Sequence, residues 1–453
     1  MRARASPFRS TAPPTRHAGS AAALAALAAY TGVPAAAYAL DLDDEGGLIT
    51  ETIARRERLK DYDSVKKYGA ERVADRDRQH TKPDGLRAGN YLIFPFAGAS
   101  VVFDDNIFKS DANKESDLRS ESTAGVKFTS QLPRHLLDLS LDGKIVNYLE
   151  NTDQDYANVR GKVDGALHFD HAHTLSVGIL SAIEHEERGE IFTPISAAEP
   201  VRVFHNRAGA AFTRDVGRLY GTVSGQYESW NYDDVRSLGG PMVDQDARDS
   251  HVWSAQLRAG YRISPGFDFV GKVRAVRQFN RGDGVVDRDA VGYEALAGLA
   301  FEANPLLRFR VLGGYGFRDF DQSGLDSVAT SLLEGHVQWL ATQRTTFYAS
   351  LKREIVDSVG EGGTGRIETS LFGRMEYEIL NNLVATTDIE FRDADFIGLD
   401  RHDQTWSARL GLDYYLNRNW LLTLGYQHER RQSNEDDFDM TRNRVTVGAK
   451  VRF

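Results

Sequence analysis

Lys272 and Arg274 stand two residues apart in one alternating segment, and Arg308 and Arg310 stand two apart in another. Four long cations on one face of nearby segments could form a basic strip. A guanidinium can bind both oxygens of a carboxylate at once, so the chemistry suggested is transient anion binding. Ion pairs bracing a wall around water are the plainer reading of the same residues. Other reactive types are less well placed. His168, His171 and His173 are candidate metal ligands by type, yet no nearby carboxylate spacing fits a site, and a structural turn is the better reading. Glu184, Glu186, Glu187 and Glu190 crowd the end of one segment and read as a solvated loop base, not an acid–base pair. Gly360-Glu361-Gly362-Gly363-Thr364-Gly365 spells G-x-G-x-x-G, but a dinucleotide site needs a helix after the glycines. Arg366–Tyr377 alternates as a strand instead, so the glycines read as a loop, as does Arg281-Gly282-Asp283. His336 and His428 leave a hydrolytic Ser–His or Asp–His constellation open, and nothing at informative spacing selects them. The sequence assigns no catalytic residue, no metal ligand and no cofactor, and reads as a non-enzyme.

The elements that carry these residues are strands. Trp420, Leu422, Leu424 and Tyr426 alternate with Leu421, Thr423, Gly425, Gln427 and Glu429. After a polar loop, Val445, Val447, Ala449, Val451 and Phe453 alternate with Thr446, Gly448, Lys450 and Arg452. Period-two alternation is a β-strand with one apolar and one polar face. The same pattern recurs back to Tyr91, giving about 18 strands long enough to cross a bilayer when tilted. Short turns such as Pro265–Gly266 and Asn381–Asn382 alternate with long polar loops such as Arg236–Asp249 and Asn434–Asp439. A soluble sandwich has no reason to sort its loops so. A spanning sheet must close, because hydrocarbon offers no partner to an edge. The expectation is an all-β transmembrane antiparallel barrel of 16–18 strands over 89–453, with Trp230, Trp253, Trp339, Trp406 and Trp420 in the interfacial girdles. Parity places Lys272, Arg274, Arg308 and Arg310 inward among a mixed, slightly basic set that includes Arg409, Glu228 and Glu334.

Composition agrees. The 453 residues include no Cys, and the formal net charge is −10. Disulfides and thiolate sites are excluded, and an acidic chain is a poor nucleic-acid binder. Arg2, Arg4, Arg9 and Arg16 precede an Ala-rich run that ends at Ala37-Tyr38-Ala39, with no acid before Asp41. Residues 1–39 are expected to be a signal peptide, whose removal takes away four Arg and brings the formal charge to −14. Residues 40–88 mix acids and bases with few apolar positions and read as a periplasmic segment, mobile or weakly helical.

Pro83-Asp84-Gly85-Leu86-Arg87-Ala88-Gly89 leads to Phe94-Pro95 and then to Phe103-Asp104-Asp105-Asn106-Ile107-Phe108. With Tyr148, Asp155-Tyr156 and the strands of Trp406–Phe453, these stretches resemble the putative β-barrel porin 2 family, the Asp-Asp-Asn-Ile-Phe piece being the most specific. The resemblance implies an outer-membrane barrel associated with exopolysaccharide or capsule loci, and hence an export pore for a polysaccharide with a periplasmic export partner. A general or solute-specific diffusion porin is the alternative, and a barrel enzyme or structural anchor comes after it. The expected partners are outer-membrane lipid, lipopolysaccharide and, through the strand ending at Phe453, the barrel-assembly machinery.

Overall fold

The computed structural model describes residues 72–73, 81–188, 197–280, 287–304, 306–323, 325–357 and 364–453. Alternation along each segment does build strands, of 13 to 16 residues. The wall strands are β1 (Tyr91–Asp104), β2 (Asp117–Ser130), β3 (His135–Tyr148), β4 (Tyr156–His168), β5 (His173–Glu186) and β6 (Val201–Val216). They continue with β7 (Leu219–Tyr232), β8 (Ser250–Ser264), β9 (Phe267–Asn280), β10 (Ala290–Asn304), β11 (Leu307–Phe320) and β12 (Val328–Thr342). The last are β13 (Thr345–Asp357), β14 (Gly365–Leu380), β15 (Leu383–Ile397), β16 (His402–Tyr415), β17 (Trp420–Ser433) and β18 (Met440–Arg452). Each pairs antiparallel with its neighbours in sequence. β18 returns to β1 from Phe96↔Arg452 to Asp104↔Arg444, which closes the ring. Of the 19 strands in this sheet, the three-residue strand Leu86–Ala88 pairs only with β1 and stands outside the wall, leaving 18.

The two rims differ as the loop pattern predicts. One carries tight turns, such as Pro265–Gly266, where Gly266 takes φ +73°, a left-handed value open to glycine at little cost. The other carries the long loops. On the outside, Val101, Leu410 and Val447 are exposed, as a lipid-facing surface requires. Trp253 against Tyr227 and Trp406 against Phe391 lie toward the long-loop rim, and Trp339 against Phe347 toward the short-turn rim. Trp230 departs from the expectation. It faces inward and stacks on His205 with ring centroids 3.7 Å apart, because it shares the parity of Glu228, which binds His205 and Arg207 inside.

Part of the segment read as mobile or weakly helical is ordered against the barrel. Leu86–Ala88 is a strand. Val73 is fully buried, its N–H donating to Thr346 Oγ1 at 3.1 Å, and Arg452 donates to the Thr81 carbonyl, both at the short-turn rim. The expected signal peptide, Glu190, Arg281-Gly282-Asp283 and most of the Gly360–Gly365 run lie outside the described residues.

Candidate functional site in the barrel lumen

β9 to β12 place the four bases of the expected strip. Lys272 Nζ lies 2.8 Å and Arg310 Nη2 3.2 Å from the two oxygens of Glu334. Arg308 pairs with Glu302 at 2.8 Å and Arg274 with Glu294 at 3.4 Å. Lys272 and Arg310 thus converge, while Arg274 and Arg308 each keep a separate carboxylate. Beside them Val270, Leu296, Leu312 and Leu332 pack into a dry inward patch. Gly298 and Gly314 belong to that corner: a Cβ on either would lie 1.9 Å from a carbonyl oxygen on the adjacent strand.

Roughly half-way round the ring, the lumen is organised by a residue the sequence placed in solvent. Glu187 directly follows β5, yet it accepts from Arg119 on β2 at 2.8 Å and from Arg442 on β18 at 3.0 and 3.1 Å. β2 is three strands away and β18 five, so the chain turns inward at Glu187 to reach both. Arg442 is also bound to Asp104 on β1, its Nε at 2.9 and 3.0 Å, and both side chains are fully buried. Arg119 pairs with Glu121 at 3.0 Å and donates to the Tyr148 hydroxyl at 2.7 Å; Lys144 adds a contact to Glu121 at 3.1 Å. Burial opposes ionisation of Glu187, but Arg442 and then Arg119 outweigh it and hold its carboxyl well below the usual carboxylate range. Of the other described members of the acidic run, Glu186 holds Arg248 at 2.8 Å and Glu184 lies 3.9 Å from His205.

Two cavities meet at Glu187. One, of about 620 Å³, is lined by Lys109, Tyr156, His185, Arg366, Arg392 and Arg442 among others. The second, of about 370 Å³, is lined by Arg119, Glu121, Lys144, Arg374 and Asp388. Both are lined by Glu187, Arg409, Gln427 and Arg444, so a solute passing from one to the other meets these four. Bases outnumber acids in each lining, six to four in the larger and five to four in the smaller. Such an arrangement can hold an anion weakly and let it go.

The motif Phe103–Phe108 explains itself here. Asp104 takes Arg442, and Asp105 accepts from the Asn443 backbone and side-chain amides at 2.6 and 2.7 Å. Asn106 donates to the Ser110 and Thr441 carbonyls at 2.7 and 2.9 Å. Each of the three polar side chains thus helps turn the chain or tie β1 to β18. A family model described as putative beta-barrel porin 2 matches residues 79–453. The chain belongs to that family. It is an outer-membrane β-barrel of the porin kind.

Among solved structures, OccAB4 of Acinetobacter baumannii aligns with this porin at 13% identity over 83% of this chain and 100% of its own, with a TM-score of 0.43. OpdK of Pseudomonas aeruginosa, solved with vanillate, aligns at 13% identity over 80% and 99%, with a TM-score of 0.41. The comparison with curated proteins finds no match.

The other candidate residues of the porin fall into structural contacts. His173 binds Asp170 at 2.9 Å within its turn, and that hydrogen bond holds the Asp170 carboxyl down at about 2. His168 meets Thr174 at 3.1 Å, His428 meets Asn443 at 2.8 Å, and His336 lies buried 3.6 Å from Glu334. Arg442 and Arg444 were not singled out in the sequence, although stepping back by twos from Arg452 and Lys450 puts both on the inward face. Nothing local signals the inward path of Glu187.

Proposed function

We propose that this barrel is a passive, non-enzymatic diffusion porin for small hydrophilic solutes, in preference to an exporter of exopolysaccharide. The observation that supports this is the Glu187 cluster. It ties Glu187, at the end of β5, to Arg119 on β2 and Arg442 on β18, so that a carboxylate held off its own strand narrows the lumen between two small cavities. Solutes of modest size can pass such a narrowing one at a time, whereas a polymer would have to keep it open along its whole length. The export reading rests on family association, and among the described residues no feature of the lumen singles out a polymer. The mixed lining suits weak, repeated contacts with polar solutes, which conduction requires. The test is reconstitution. The wild-type porin should conduct ions in planar bilayers and admit small sugars in a liposome-swelling assay. Glu187→Ala should raise both the single-channel conductance and the size limit. A wild-type barrel that passes neither ions nor sugars sinks the diffusion reading, and a deletion strain that loses its surface polysaccharide would favour export.

A further inference from the structure

One row of inward residues crosses the wall beside the narrowing, each in register with the next on the adjacent strand. Arg374 pairs with Asp388, Asp388 with Arg409, Arg409 with Gln427, Gln427 with Arg444, and Arg444 with Asp104. Register neighbours on one face lie within side-chain reach. The row reads Arg, Asp, Arg, Gln, Arg, Asp, so the alternation of charge calls for a carboxylate where Gln427 stands. The other acids are spoken for. Asp388 holds Arg374 at 2.7 and 2.8 Å, and Asp104 holds Arg442. Arg444 Nη2 donates to Gln427 Oε1 at 2.7 Å, and Arg409 Nε approaches the same oxygen at 3.4 Å. Arg409 also lies 3.6 Å from Asp388, while Arg444 makes no ion pair among the described residues. A neutral amide oxygen therefore occupies the point on which two guanidinium groups converge, in the stretch of wall common to both cavities.

We propose that Arg409 and Arg444, with Gln427 between them, form an anion-binding subsite for small solutes that carry a carboxylate. This rests on the diffusion-porin reading and names its solute class. The entering carboxylate displaces the Gln427 amide oxygen and brings the negative charge that the row lacks. Glu187 and Asp388 nearby keep the hold weak enough for release. The probe is succinate, with the uncharged succinamide as control, and the variants are Gln427→Glu and Arg444→Gln in the full chain. In a KCl gradient the wild type should show a reversal potential of anion preference, and succinate should reduce the current where succinamide does not. Gln427→Glu supplies the missing carboxylate and should move the reversal potential toward cations. Each variant should weaken the succinate response roughly tenfold, the scale of one charge-assisted contact. Succinate and succinamide acting alike on the wild type, or variants that conduct with wild-type selectivity and succinate response, would overturn the subsite. Titration calorimetry of succinate into the detergent-solubilised barrel separates the two claims. If the wild type does not conduct, the diffusion reading fails. The subsite then stands on succinate binding that Gln427→Glu weakens, and falls if the wild type binds none.

Discussion

Replacing Arg442 by Ala should be among the most damaging single changes at the seam. Its guanidinium is buried and makes contacts to two carboxylates, with Nε at 2.9 and 3.0 Å from Asp104 and Nη1 and Nη2 at 3.1 and 3.0 Å from Glu187. Glu187 keeps Arg119 after the change. Among the described residues Asp104 keeps only neutral contacts such as the backbone N–H of Asn106 at 3.1 Å, and its side chain is fully buried. Two unit charges about 4 Å apart interact by about 4 kcal/mol at the effective dielectric of protein sites. Breaking a buried pair from one side costs roughly 3–5 kcal/mol, because the remaining charge is stranded. The contrasting pair is Arg418 with Asp84 at the short-turn rim. It is as short, at 2.6 Å, but its side chains are 43% and 77% exposed, and solvent leaves such pairs about 0–1 kcal/mol. Urea titrations of the barrel in lipid vesicles, read by tryptophan fluorescence and by heat-modifiable migration on gels, should show Arg442→Ala well below Arg418→Ala. Adding Asp104→Asn to Arg442→Ala should recover part of the loss by removing the stranded charge. Equal midpoints for the two Ala variants, or no recovery in the double variant, would refute the reasoning.

The assigned faces predict a loss of roughly 2–4 kcal/mol for Leu410→Arg or Val447→Arg in the bilayer, because both side chains point to lipid. Thr446→Arg, one residue away and facing the smaller cavity, should be tolerated. The same titrations check this, and equal damage at both kinds of site would reverse the faces. For Glu187 the folded carboxyl lies below its ordinary pKa of about 4.3. Its contribution is therefore complete above that value and is lost only as pH falls through the lower folded pKa. Conductance should stay level from neutral pH to about pH 4–5 and rise in stronger acid, and Glu187→Gln should abolish that acid step. A step near neutrality, or one that persists in Glu187→Gln, would assign it to another group.

The barrel was legible because its signals are local. A strand writes its two faces into alternate residues, and loop length between strands writes which rim each connection serves. Parity also decides the face of Trp230. Glu228 was placed inward from its alternation, and Trp230 two residues on must share its face. What fails is inference from residue type alone: an aromatic near a strand end serves a lipid girdle or a lumen stack depending on parity, not on its depth. Glu187 is harder. Four glutamates in seven residues look solvated, and only the three-dimensional position of Glu187 shows that one of them meets Arg119 and Arg442. The row through Gln427 lies beyond local reading as well, because register between neighbouring strands depends on the turns that join them. A one-residue change in either connection flanking β17 would set Gln427 against different partners.

The same geometry suggests why the buried charges sit at the seam. Every other wall pairing joins strands adjacent in sequence, whereas β1 and β18 meet across 338 residues, the separation of Asp104 from Arg442. No turn sets that register. An apolar seam would also accept the neighbouring registers, since Val101, Phe103, Val445 and Val447 could pair with one another after a shift. A slip by one residue would turn Arg442 toward lipid and leave Asp104 without a cation inside, two errors of several kcal/mol each. A slip by two keeps the faces but moves the partners apart by nearly 7 Å, the rise of two strand residues. Asp105 and Asn443 impose a second check at the same level through their paired hydrogen bonds. A buried ion pair adds less net stability than its contacts imply. Its value at this position is that it penalises every register but one at the single joint the chain cannot set locally. The seam strand also carries Arg444, so the same register sets Arg444 opposite Asp104 and completes the row that runs through Gln427.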